Sequence, residues 1–223
     1  MSSSRFVATI VALTLSAVLA GCSSGYTAVG QTIADAFGPT KNVEPQLNPR
    51  FAYLRATVQG RAAFLALGVE EAAPGGSVKY WYSADREMLV FQNGRVVEAS
   101  GLTTEWRKVT LDGVPSWRAA AAAPDGVVFT RTRDVMPGYR YGVEDRLSLR
   151  RIDVPRSTRL LRVDAAQLTW FEERITRTDG GPLPAAIYGV DLRDGREEVV
   201  YGEQCLAPEL CFTWQKWPVT NAK

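Results

Sequence analysis

The chain has 223 residues, 46% of them hydrophobic and 22% charged, with a formal net charge of +2 and no histidine. That apolar share supports a real core and excludes low-complexity disorder over most of the length, and the near-neutral balance excludes whole-protein electrostatic binding of nucleic acid. The missing histidine removes Ser-His-Asp and Cys-His nucleophilic catalysis, histidine-ligated metals and imidazole proton shuttling. No metal or cofactor is expected, and an enzyme on this chain would have to run on carboxylates, lysine or tyrosine.

The N-terminal stretch sets the address. Met1 to Arg5 is short and polar with one positive charge, Phe6 to Leu19 is almost unbroken apolar, and Leu19-Ala20-Gly21 leads into Cys22. This order reads as a secretory signal over residues 1–21, too short for a spanning helix, which needs about 20 apolar residues. Cysteine directly after Leu-Ala-Gly resembles the lipobox of bacterial lipoproteins. The resemblance implies cleavage before Cys22, diacylglycerol on its sulfur and an acyl chain on its new amino group, since one acyl chain binds a bilayer only marginally. An ordinary signal with an incidental cysteine, or an uncleaved anchor, is the competing reading. Ser23 stands where an aspartate retains many lipoproteins at the inner membrane, so the expected partner is outer-membrane lipid, with the domain facing the periplasm.

Residues 22–50 read as a tether with one short helix over Gly30 to Phe37, stopped by Gly38-Pro39. From Phe51 to residue 223 the period changes to two, as in a single β-rich domain. Strands are expected over Phe51–Val58, Arg61–Val69 and Val78–Ser83, and over Val127–Arg133 and Arg146–Val154. Others are expected over Arg159–Val163, Gln167–Thr178, Ala185–Asp191 and Arg196–Tyr201. Asn93-Gly94 between Met88–Phe91 and Val96–Ala99 marks a type I′ hairpin, because both central residues must take positive φ. Asp112-Gly113 and Asp194-Gly195 repeat the pattern. No strong helix-period stretch follows Phe37. Frequent turns with short connections predict an all-β antiparallel meander forming an open or partly closed barrel, or a sandwich.

With Cys22 taken by lipid, Cys205 and Cys211 remain as an even pair in an oxidising compartment, which predicts a disulfide across five intervening residues. Asp134, Glu144, Asp145, Glu172 and Glu173 are the carboxylates to test for a glycosidase-like pair, which must face one cleft at about 5–9.5 Å. Glu172 and Glu173 are adjacent on one strand and point to opposite faces. Solvated strand faces are the plainer account of all five. The middle of the chain is rich in arginine, and Arg146, Arg150, Arg159 and Arg162 are candidates for a face that meets acidic polysaccharide or anionic lipid headgroups. Neighbouring acids such as Asp145 could instead pair with those arginines. Trp81, Trp106, Trp117, Trp170, Trp214 and Trp217 could stack sugar rings, against the plainer reading of core or rim.

The run Tyr82-Ser83-Ala84-Asp85-Arg86, then Leu89-Val90, Asn93-Gly94-Arg95-Val96-Val97 and Gly101-Leu102, resembles the YjbF/GfcB family of group 4 capsule polysaccharide lipoproteins. The lipobox, the mature length, Trp170-Phe171-Glu172-Glu173 and the ending from Trp214 to Trp217 add to the likeness. The resemblance implies a β-rich barrel and a non-enzymatic accessory role in exopolysaccharide or capsule production at the outer membrane, beside polysaccharide-export envelope proteins. It carries no catalytic residues. A carboxylate-based glycan-active enzyme and a structural or lipid-handling envelope protein are the alternatives. The anchor is tested first: wild-type protein is expected to incorporate labelled palmitate, and incorporation surviving in Cys22→Ala overturns lipidation at that residue.

Overall fold

The computed structural model describes residues 47–217; the predicted helix at Gly30–Phe37 and the lipobox lie outside them. Twelve strands follow one another as an antiparallel meander: β1 (Tyr53–Val58), β2 (Arg61–Ala73), β3 (Gly76–Tyr82), β4 (Met88–Gln92), β5 (Arg95–Ser100) and β6 (Glu105–Asp112). Then come β7 (Val127–Met136), β8 (Arg140–Ile152), β9 (Thr169–Thr178), β10 (Ala186–Asp191), β11 (Glu198–Ala207) and β12 (Leu210–Trp217). The first strand pairs with the last, from Tyr53 opposite Trp217 to Val58 opposite Phe212, and the barrel is closed.

Turn chemistry shapes three of the connections. Asn93 and Gly94 both have positive φ, 49° and 78°, as the type I′ reading requires, and Asp194 and Gly195 (52° and 73°) do the same between β10 and β11. Gln59-Gly60 makes a similar turn between β1 and β2, with φ of 49° and 83°. Asp112-Gly113 does not close a hairpin. Pro115 has no N–H for a ladder, Ser116 caps a helix by accepting from the Ala119 N–H, and the alanine-rich run becomes α1 (Trp117–Ala122). Helix therefore does occur after Phe37, as one short plug inside a loop. Two strands carry weaker sequence signals: β6, which pairs with β5 only at Ala99 and Trp106, and β12.

Inward residues alternate with outward ones. Leu54, Ala56 and Val58 of β1, Leu147 and Leu149 of β8, and Phe212 and Trp214 of β12 share one core. Opposite walls meet inside it. The Phe91 ring of β4 lies 4.8 Å from the Trp214 ring of β12, and Trp106 Nε1 of β6 donates to the Leu206 carbonyl of β11 at 3.1 Å.

Arg159–Val163, expected as a strand, is irregular. Every strand of a closed barrel already has two partners, so no edge is free to receive it. The segment instead crosses the outer wall. The Arg159 N–H donates to the Tyr201 hydroxyl, and Leu161 exchanges bonds through its N–H and carbonyl with the Gln215 side chain. Leu160 and Val163 pack with Leu168, Trp170 and Tyr201 in a second, external apolar cluster.

Cys205 and Cys211 are cross-strand partners in the β11–β12 hairpin and form the expected disulfide. At the opposite end of the barrel the β4–β5 turn folds over the lumen, and a Cβ at Gly94 would collide with the Val199 side chain. Gly94→Ala adds that clash to a positive φ. It is expected to lower stability by about 2 kcal/mol in denaturant unfolding, whereas Gly113→Ala, with open space around it, is expected to cost less.

Candidate functional site

The barrel has two ends. The start of β1 and the end of β12 meet at one of them, together with the β4–β5 turn and the loop that carries α1. This end is plugged. The Trp117 indole enters the lumen, 5.1 Å from Phe171 and 4.9 Å from Tyr188 between ring centroids. Its Nε1 donates to the Asn93 carbonyl at 3.0 Å, and its backbone N–H donates to Glu197. Arg118 ties the plug to the facing turn through the Leu192 and Arg196 carbonyls.

Beneath the plug sits a buried ion cluster. Arg95, 3% exposed, donates from Nε to Glu173 Oε2 at 2.7 Å, and Glu173 also accepts from the Tyr188 hydroxyl. The Arg95 guanidinium lies 4.0 Å from the Trp117 ring centroid, so the indole face supplies part of the compensation that water would give. Burial, then the Glu173 charge, push the Tyr188 hydroxyl well above its ordinary range.

A second cluster lies further along the lumen. Asp145, fully buried, accepts from Arg131 at 3.0 and 2.7 Å, from Arg133 at 2.7 and 3.2 Å, and from the Thr178 hydroxyl at 2.5 Å. Both guanidinium groups sit over Trp106, 4.6 and 5.0 Å from its centroid. Burial alone would raise the Asp145 carboxyl, but the Arg133 bonds, the Arg131 charge and the Thr178 hydroxyl outweigh it and hold the group below its ordinary value. These five bonds fill the lone pairs of one carboxylate. Alternation carried a signal for this cluster: Arg131 and Arg133 are in phase with buried Phe129 and Val135, and Asp145 with Leu147 and Leu149.

The predicted site residues separate. Glu173 faces the lumen, while Glu172 faces outward and holds Arg150 and Arg174, each at 2.7 Å, so the adjacent glutamates do point to opposite faces. Asp134 accepts from the Gly142 N–H, and Glu144 is exposed. These five carboxylates do not converge on one cleft. Arg146 and Arg150 share the outer face of β8. Arg159 and Arg162 belong to the crossing loop, where the Arg159 N–H meets Tyr201 of β11 and Arg162 stacks on Trp217 of β12 at 4.5 Å, so β9 and β10 lie between the two pairs. All six tryptophans are buried, which leaves none of them as an exposed sugar-stacking platform.

A cavity of about 180 Å³ opens beside the plug. Trp81, Phe91 and Trp214 form its floor, and Lys79, Asn93, Glu197 and Lys216 stand at its rim. Burial, reinforced by the Lys79 charge and opposed by Glu70, pulls the Lys216 amine down to about 8. Lys216 contacts Glu198, and Lys79 pairs with Glu70 at 3.3 Å.

A closed antiparallel meander, with a plugged mouth and a lumen filled by rings and ion pairs, defines a β-barrel whose interior is a core. The chain belongs to the YjbF family, described as group 4 capsule polysaccharide lipoprotein gfcB, YjbF, whose model matches residues 46–212. Among solved structures, the fold is similar to the hypothetical lipoprotein YmcC from Escherichia coli (K12), at 19% identity over 100% of both chains with a TM-score of 0.58. A search of curated proteins finds no match.

The Asp145 cluster generates a stability prediction. Asp145→Asn keeps the shape but removes the charge that balances two buried arginines, and is expected to cost about 3–5 kcal/mol in denaturant unfolding. Because the folded-state value of Asp145 is lowered from 3.8, its contribution is present above that pH and lost as pH falls below it. The wild type is therefore expected to lose more stability than Asp145→Asn between pH 5 and more acidic conditions.

Proposed function

We propose that this protein is a non-enzymatic accessory lipoprotein of capsule or exopolysaccharide production or export. In this reading it is held at the outer membrane by lipid on Cys22, with its barrel in the periplasm beside the export machinery. The observation that carries the proposal is the family match, which spans nearly all of the barrel. Three features support it. The chain lacks histidine. The two candidate carboxylates that face the lumen, Glu173 and Asp145, are committed to buried arginines. The chain also enters the barrel at one end, so a tether could hold the whole body by that end.

The same geometry weighs on the alternatives. A carboxylate-based glycan-active enzyme needs two acids facing one cleft; of the five candidates only Asp145 and Glu173 share the lumenal face, and each is bonded to buried arginines there. A lipid-handling barrel needs room for acyl chains. The apolar void among Ala56, Leu65, Leu89 and Phe212 measures about 10 Å³, barely the space of one water molecule, and the cavity of about 180 Å³ beside the plug is lined by Lys79, Glu197, Glu198 and Lys216 as well as by rings.

The test is genetic and chemical. Deleting the gene under polysaccharide-producing conditions is expected to reduce surface or secreted polysaccharide, measured as uronic acid or total hexose. Complementation by wild type is expected to restore it, and by Cys22→Ala to fail. Unchanged polysaccharide in the deletion strain overturns the accessory role.

A further inference from the structure

The outer wall at β8 and β9 carries an arrangement that the fold does not require. Arg146 and Arg177 are cross-strand partners, directly opposite each other on the solvent face, and both are exposed. Like charges at opposed positions destabilise a sheet. Among the described residues neither has an ion pair with a carboxylate, although Glu144 lies two positions before Arg146 on the same face.

Next along the same two strands, Ser148 opposes Arg174 and Arg150 opposes Glu172. The Glu172 carboxylate is shared: Oε1 accepts from Arg150 Nε and Nη2 at 3.0 and 2.7 Å and from Arg174 Nε at 2.7 Å, while Oε2 accepts from Arg174 Nη2 at 2.7 Å. One acid therefore serves two arginines whose side chains remain 57% and 59% exposed. Four guanidinium groups project from adjacent strands with Glu172 alone among them and Glu144 and Asp179 at the margin.

We propose that Arg146, Arg177, Arg150 and Arg174 form a docking strip for an acidic polysaccharide, one that bears a carboxylate on its sugar units. This rests on the capsule-polysaccharide reading above and names the polymer class and the face that meets it. Guanidinium is suited to the task because its planar fork matches a carboxylate with two parallel bonds. Extent favours a polymer: Arg150 lies four positions on from Arg146, about 13 Å along a strand. A single headgroup cannot reach both tiers, whereas an extended chain with repeating carboxylates can. Position favours it as well, because the strip lies on the side wall and the chain enters the barrel at its end, at Tyr53. The strip differs from the face predicted from sequence: Arg159 and Arg162 drop out, and Arg174 and Arg177 replace them.

The experiment uses the full chain in neutral detergent with three probes: polygalacturonate, neutral dextran, and vesicles containing phosphatidylglycerol. Polygalacturonate is expected to bind with an affinity that falls as salt rises, and dextran is expected not to bind. The double variant Arg146→Gln/Arg177→Gln is expected to weaken polygalacturonate binding by at least about tenfold. Its melting temperature is expected to be unchanged or higher, because the substitution relieves a like-charge pair, so lost binding cannot be assigned to unfolding. The proposal is overturned by equal binding of wild type and double variant, by equal affinity for dextran, or by vesicle binding through these arginines without polygalacturonate binding. The two readings fail separately: an unchanged deletion strain sinks the accessory role and leaves a measured polyuronate affinity standing, while absent polyuronate binding sinks only the strip.

Discussion

Closure of the sheet, β1 against β12, is the constraint from which the other features follow. Six cross-strand partners, from Tyr53–Trp217 to Val58–Phe212, remove the two edges that a meander of this length would otherwise expose. Once the edges are gone, any further extended segment has nowhere to pair. The β8–β9 connection therefore runs across the outside of the wall, satisfying its backbone with the Tyr201 hydroxyl and the Gln215 amide and its apolar side chains with an external cluster. A closed wall of twelve strands also encloses space that must be filled. Rings from opposite sides meet across it, and the β6–β7 loop inserts Trp117 as a plug.

The filling is not purely apolar. Three arginines, Arg95, Arg131 and Arg133, lie inside with two carboxylates, Glu173 and Asp145, and the remaining positive charge is met by indole faces at 4.0–5.0 Å. Replacing such clusters with hydrophobic residues is often neutral or stabilising, while breaking one partner is costly. Their structural consequence here is direct. Arg131 and Arg133 of β7 share Asp145 of β8 with Thr178 of β9, which ties three neighbouring strands together, and Arg95 of β5 reaches Glu173 of β9, which links strands distant in sequence.

The division of labour between the faces follows from this. In the lumen Arg131 and Arg133 pair with Asp145, and Arg95 pairs with Glu173 through Nε, and these bonds hold the barrel, whereas outward charges on β8 and β9 are incompletely paired. Asp145 and Glu172 illustrate the difference: both carboxylates are lowered by arginines, but Asp145 is sealed from solvent and Glu172 presents its two arginines to it.

Much of this was legible in the residues. Alternation marked most strands and Asn93-Gly94 marked its turn, because each depends on chemistry within a few neighbours, while the even pair of cysteines left beside Cys22 marked the disulfide. The in-phase positions of Arg131, Arg133 and Asp145 were also written there. Their polarity masked the signal, because an isolated strand cannot tell an inward arginine from a solvated one. The fate of Arg159–Val163, the plug at Trp117 and the grouping of Arg146 with Arg177 were decided only by the tertiary structure. Each depends on which strands become neighbours when the sheet closes, a long-range choice that no local period encodes.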